Sequence, residues 1–212
     1  MKDTQPLSKS SAADMPVMIV AGLIVLLLTA IALPLGSIAL AGLAYLKFIC
    51  RPLVPPPLSE AVLAPAEGVI YKIEQSDSGL TMWIKQNWDS RLHIAMPVKG
   101  RIEQNLYVDG VFLSLDDPAA LQMNARREFM IETDEGQHIE LVQWASPFGR
   151  LQLSSVLEGQ MVAAGSAIAL NLFGSVIALR LPAGYAPCLK EGAYCMAGQT
   201  ILAEHQRGAS IC

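Results

Sequence analysis

The 212-residue chain lacks the short motifs that announce nucleotide, metal or hydrolase chemistry. It has no Gly-rich phosphate loop, no Cys-x-x-Cys pair, no His-Glu-x-x-His and no Gly-x-Ser-x-Gly. Imidazole is scarce: His93, His138 and His205 lie far apart, and no metal is expected. The four cysteines, Cys50, Cys188, Cys195 and Cys212, have no ligand spacing. Their number implies no disulfide framework in a chain this long, so free thiols in a reducing compartment are expected. Positive charge is scarce too. The net charge is -4, and it stays so when Lys2, Lys9, Asp3 and Asp14 of the N-terminal tail are set aside. That balance argues against a nucleic-acid partner and against a polybasic membrane patch.

What is present first is a long run without charge. Residues 15–46 contain no ionisable Asp, Glu, Lys or Arg. A bilayer needs roughly 20 apolar residues in a helix, and the run is about twice the length of a secretory signal's apolar core. Membrane insertion is expected, as one span kinked at Pro34-Leu35-Gly36 or as a hairpin in one leaflet. Lys2 and Lys9 lie on one side and Lys47 and Arg51 on the other, so the flanking charges do not set the orientation. The expected organisation is a polar tail over 1–14, an anchor over 15–50, a stiff Pro-rich joint over 51–57 and one domain over 58–212.

The domain reads as mainly β. Period-2 alternation marks strand candidates at 69–74, 80–85, 91–96, 100–108, 128–133, 139–144, 167–172 and 176–181. A helical turn is expected near Asp117-Pro118-Ala119-Ala120-Leu121. The C-terminal third repeats itself: Glu158-Gly159-Gln160-Met161-Val162-Ala163-Ala164-Gly165 matches Glu191-Gly192-Ala193-Tyr194-Cys195-Met196-Ala197-Gly198, at an offset of 33 residues. Glycine at both ends of a short strand suits tight turns with positive φ. Such units are similar to the barrel-sandwich hybrid of lipoyl domains. The expected fold is a compact domain of curved sheets, hybrid-like in its C-terminal part, behind a hydrophobic helix or hairpin.

Between the two copies stands Phe173-Gly174-Ser175, followed by an alternating apolar strand. This setting resembles the self-cleavage site of phosphatidylserine decarboxylases. The order of other segments strengthens the resemblance. Phe48-Ile49-Cys50-Arg51-Pro52 is similar to that family's Phe-Phe-Arg-Asp-Pro, and Ala64-Pro65-Ala66-Glu67-Gly68 to its Ser-Pro-Ala-Asp-Gly. Met96-Pro97-Val98-Lys99-Gly100 resembles Ala-Pro-Val-x-Gly, Tyr107-Val108-Asp109-Gly110-Val111-Phe112 resembles Tyr-x-x-Gly-x-Phe, and Asn124-Ala125-Arg126 stands for Asn-Glu-Arg. The match is to the short bacterial and archaeal type, with a divergent active site.

The resemblance implies that the chain cuts itself between Gly174 and Ser175. Ser175 attacks the Gly174 carbonyl, an ester forms, β-elimination frees Gly174, and hydrolysis leaves a pyruvoyl group, the cofactor, at residue 175. It implies a phosphatidylserine-like membrane lipid as substrate, the 175–212 fragment as small subunit, and a place at the bacterial cytoplasmic membrane with the domain in the cytoplasm. It leaves a homo-oligomer open. Glu67 stands at the family's acidic position as base or charge partner. The family's histidine positions fall on Leu92 and Ala95, so His93 is the imidazole expected to assist. Arg126 and Arg127, read as loop residues, are expected to meet a lipid phosphate. The alternative reading is a non-catalytic or retuned paralogue that binds lipid or a partner protein at the membrane.

Overall fold

The computed structural model describes residues 14–53, 61–149, 152–171 and 174–206. Most of the polar tail, the joint beyond Leu53 and Phe173 of the cleavage motif lie outside the described residues. The chain divides into two compact units, meeting between Lys47 and Phe48.

The first unit is essentially one helix, α1 (Asp14–Ile49). The helix runs through Pro34 without a break, so the hairpin alternative does not form. Proline removes one intrahelical N–H and leaves the Ala30 carbonyl without its usual donor. Nearby, the Ser37 hydroxyl donates to the Pro34 carbonyl at 2.8 Å. Leu23, Leu27, Ile31, Leu35, Ile38 and Leu43 are exposed, as are apolar residues around the rest of the helix. A helix apolar on every side is built for a hydrophobic surround. Its stretch Gly22–Ile49 is long and apolar enough to cross a bilayer.

The second unit is β. Its strands are β1 (Val62–Leu63), β2 (Gly68–Ser76), β3 (Gly79–Lys85), β4 (His93–Ala95) and β5 (Gly100–Val108). After a short helix, α2 (Ala120–Met123), come β6 (Arg126–Thr133), β7 (His138–Trp144), β8 (Gln152–Ser154), β9 (Met161–Val162) and β10 (Ala167–Asn171). The last are β11 (Val176–Pro182), β12 (Tyr185–Pro187), β13 (Tyr194–Cys195) and β14 (Ile201–His205). Eight strands form one sheet in the order β13-β2-β3-β11-β7-β6-β5-β9, and two three-stranded sheets, β1-β14-β12 and β4-β10-β8, accompany it. All eight strand candidates contain a strand. The region 91–96 keeps pairing only at His93–Ala95.

β11 is the central strand. Ile177, Leu179 and Leu181 join the main core with Ile70, Ile84, Phe129 and Leu141. Val176 and Ala178 face the other way, onto Trp83 and Trp144, whose rings stack at 5.4 Å. A strand buried on both faces reads as a nearly continuous apolar run.

The domain is built twice. Leu63 N donates to Pro97 O at 2.8 Å, and Ala95 N donates to Pro65 O at 2.7 Å. Ile70 O accepts from Gly192 N and Ile102 O from Gly159 N, both at 2.7 Å. Glu191 takes the Ile73 amide at 2.8 Å, and Glu158 takes the Asn105 amide at 3.0 Å. Each copy of the C-terminal repeat therefore docks on a bulged strand, β2 or β5, of an N-terminal repeat 32 residues apart. Gly68 and Gly100 are the matching close approaches: a Cβ there would strike the Lys85 or the Glu132 carbonyl. Gly159, Gly165, Gly192 and Gly198 have φ of 82°, 74°, 85° and 70°, as their turns require. The hybrid-like part is thus shared between the two ends of the domain.

Candidate active site

Register places the first pair of the site. β11 begins opposite β3, with Val176 across from Lys85. One step beyond, Gln86 N donates to Ser175 O at 2.9 Å, which puts these two residues side by side. Asn171 closes the group from the end of β10, where its backbone N–H donates to Leu92 O at 2.8 Å.

Ser175 is completely buried. Its hydroxyl donates to Gln86 Oε1 at 3.0 Å and accepts from Asn171 Nδ2 at 2.6 Å. Asn171 Nδ2 also donates to Gln86 Oε1 at 2.7 Å, so three polar groups form a closed triangle. Asn171 Oδ1 is buried with no hydrogen-bond partner among the described residues. Gly174 turns the chain into this position with φ of 74°, and a Cβ on it would lie 3.1 Å from Gln86 O. Its carbonyl accepts from Ser146 Oγ at 2.9 Å.

Glu67 lies one shell away. It is buried and paired with Arg91, Nε to Oε2, at 2.9 Å, without the alignment of a hydrogen bond. Arg51 Nη2 is 3.4 Å from Oε1, and the Tyr194 hydroxyl donates to the same oxygen at 2.6 Å. Burial first, and then that hydrogen bond to Glu67, hold the Tyr194 phenol well above its ordinary range. The link to Ser175 runs through Arg91, whose carbonyl accepts from Gln86 Nε2 at 3.3 Å.

His93 stands with this outer cluster. Its Nδ1 is buried without a hydrogen-bond partner among the described residues. Burial, reinforced by the Arg91 charge, lowers its pKa, against a hydrogen bond to the Arg51 backbone. Leu92 and Ala95 are buried. Among the described residues, the side chains hydrogen-bonded to the Ser175 hydroxyl are the amides of Gln86 and Asn171.

The arginine pair sits on β6 rather than in a loop. Arg126 Nε pairs with Glu128. Arg127 Nη1 donates to Asn105 Oδ1 at 2.7 Å and Nη2 to Gln152 O at 3.1 Å, over the Tyr107 ring, leaving a buried Nε without a partner.

The structure brings Gln86, Asn171 and Ser146 to Gly174 and Ser175, and Arg91 to Glu67; sequence reading named none of these four neighbours as site residues. The signal for Gln86 and Asn171 was there: both are polar residues at the end of an apolar strand. Only the register says that those ends meet.

A family model described as phosphatidylserine decarboxylase matches residues 91–203. A phosphatidylserine decarboxylase proenzyme of Erythrobacter litoralis is 30% identical over 192 residues, 82% of this chain and 76% of that protein. Proteins of the same name from Gluconobacter oxydans and Nitrosomonas eutropha are 31% and 33% identical over 182 and 179 residues. Those alignments cover 80% and 82% of this chain, and 81% and 82% of the respective relatives.

Proposed function

Because the chain belongs to the phosphatidylserine decarboxylase family, we propose that it is a proenzyme that cuts itself between Gly174 and Ser175 and then decarboxylates phosphatidylserine or a close aminophospholipid at the membrane. The observation that carries this reading is the buried Ser175 hydroxyl, held by Gln86 and Asn171 directly after a Gly174 of positive φ. A serine at an ordinary turn needs no such clamp.

Ser175 Oγ bonds to the Gly174 carbonyl carbon, and the Gly174–Ser175 peptide bond breaks. The hydroxyl proton starts on its hydrogen bond to Gln86 Oε1 and ends on the freed amine of residue 175. Loss of the Cα proton of residue 175 then breaks the ester, releasing Gly174 as a carboxylate. One water hydrolyses the remaining enamine, ammonia departs, and residue 175 is left as pyruvoyl.

The residues present fit that product. Oγ leaves with Gly174, so Asn171 Nδ2 is freed to donate to a carbonyl at residue 175, and Asn171 Oδ1, buried and without a partner among the described residues, can accept from a substrate amine. The pyruvoyl group supplies an electrophilic carbonyl and an electron sink for the loss of CO2. Glu67 neutralises the Arg91 guanidinium, and the Arg91 backbone carbonyl holds the Gln86 amide on Ser175. His93, kept neutral by burial, is the base assigned to the lipid step. Arg127, with its unpartnered Nε, is the phosphate contact, whereas Arg126 must first leave Glu128. Helix α1 is the anchor that keeps the domain at the bacterial cytoplasmic membrane, on its cytoplasmic side.

The mass of the purified protein tests this. Self-cleavage gives residues 1–174 and 175–212, the latter about 4 kDa by its share of the 22.8 kDa chain. Ser175→Ala leaves one chain. A second reading, a scaffold that binds lipid without cutting, is favoured by the two amides on Ser175, because neither is a base. An uncut wild type that still binds phosphatidylserine vesicles selects it.

A further inference from the structure

Ser146 contacts Gly174, whereas Gln86 and Asn171 clamp Ser175. Its hydroxyl donates to the Gly174 carbonyl oxygen at 2.9 Å. The Gly149 amide donates into the same Ser146 oxygen at 2.8 Å. The second bond orients the first: with an N–H delivered to its oxygen, the hydroxyl directs its single proton at Gly174. Ser146 and Gly149 belong to a tight turn, Ser146-Pro147-Phe148-Gly149, that follows β7, the strand paired with β11. Ser146 is buried, so the bond acts where water screens it little.

We propose that Ser146 is a catalytic residue of self-cleavage, its hydroxyl being the donor that stabilises the oxyanion forming on Gly174. This rests on the self-cleaving reading above. When Ser175 Oγ bonds to the Gly174 carbon, the carbonyl π pair moves onto the oxygen. The existing hydrogen bond from Ser146 then becomes charge-assisted and strengthens. It strengthens only in the tetrahedral state, which is the condition for lowering the barrier rather than merely holding the ground state. As the tetrahedral centre collapses, the pair returns, the carbon–nitrogen bond breaks, and Ser146 is left unchanged.

The experiment follows cleavage of the full-length chain in detergent, with hydroxylamine added to a parallel sample to trap the ester. Ser146→Ala is expected to slow cleavage roughly 10²–10³-fold, the usual cost of one oxyanion donor. Ser146→Thr, which keeps the hydroxyl, is expected to stay within about tenfold of wild type, well inside that loss. The Ser146→Ala chain is expected to accumulate no hydroxylamine-sensitive ester, because the acyl shift itself is slowed. Its Tm is compared with that of uncut Ser175→Ala, which separates a lost donor from a collapsed turn. If Ser146→Ala does not fold, Ser146→Cys takes its place, since a thiol is a weak donor of similar size. Cleavage of either variant at the wild-type rate, or a Ser146→Thr chain as slow as Ser146→Ala, overturns the assignment. An uncut wild type overturns the self-cleaving reading and this assignment with it. A wild type that cuts beside a Ser146→Ala chain that cuts equally fast overturns this assignment alone.

Discussion

Glu67 and Lys99 hold equivalent places in the two halves of the β-domain, yet only Glu67 is buried. Each precedes the glycine that packs on a neighbouring strand, Gly68 against the Lys85 carbonyl and Gly100 against that of Glu132. Lys99 points to solvent and pairs with Asp134 at 2.6 Å, with side chains more than half exposed. Glu67 is enclosed by Arg91, Arg51 and Tyr194. A duplicated scaffold needs neither charge, so the buried ion pair at Glu67 is a departure from symmetry that the repeat itself does not require.

Removing that charge is expected to cost stability before it touches rate. Glu67→Gln leaves Arg91 buried without its counter-charge, which typically costs roughly 3–5 kcal/mol. Cleavage slows with it, because Arg91 positions Gln86. Chemical denaturation of the double variant Glu67→Gln/Arg91→Met is expected to recover most of the stability, and its cleavage is expected to recover too, because the substitution keeps the backbone carbonyl at position 91 that holds Gln86. If the double variant is as unstable as Glu67→Gln, the buried pair is not the reason.

Gln86 is where the site is weakest as an acid–base device. Its Oε1 faces the Ser175 hydroxyl at 3.0 Å, but an amide oxygen accepts a proton poorly. Gln86→Glu puts a carboxylate at that point, and a placed base is worth roughly 10²–10⁴-fold. Cleavage of this variant is expected to be faster than wild type and to rise with pH through the carboxylate's titration, since only the ionised form is basic. Gln86→Leu is expected to be slower than wild type. Time courses on gels decide it. A Gln86→Glu chain no faster at any pH shows that proton removal is not limiting.

His93 sets the expected pH response of the fold. Its pKa in the folded protein lies below the ordinary 6.5, chiefly through burial. The unfolded chain therefore binds the proton more readily. Stability is full above 6.5 and is lost as the pH falls through 6.5 toward the lowered value. Thermal unfolding across this range is expected to show that loss in wild type and a shallower one in His93→Asn. Assayed on phosphatidylserine, His93→Ala is expected to block decarboxylation while leaving cleavage intact. Loss of both would place His93 in the self-cleavage step as well.

The helix makes its own prediction. With Gly22–Ile49 in a bilayer, alkaline carbonate washing is expected to leave the protein in the membrane pellet. Deleting residues 15–46 is expected to release it. Quantitative extraction of the full chain would contradict the anchor.

Much of this was legible in the amino-acid order. The charge-free run, the alternating strands and the glycine-bounded repeat are local patterns, and each reports the local conformation it needs. The Gly174-Ser175 dipeptide stood out for the same reason, because the cleavage proposed for it joins adjacent residues. The N-terminal repeat of Pro65-Ala66-Glu67-Gly68 and Pro97-Val98-Lys99-Gly100 is too degenerate to stand out by itself and emerges only from its pairing with the C-terminal copies. What surrounds Ser175 was settled only in three dimensions. Gln86 and Ser146 come from strand ends 89 and 29 positions before it, and a polar residue at a strand end does not by itself say what it will meet. The antiparallel register of β11 between β3 and β7 brings both beside the Gly174–Ser175 peptide. Side chains in contact across a sheet answer to register, and register is fixed by the burial of whole strands rather than by any short segment.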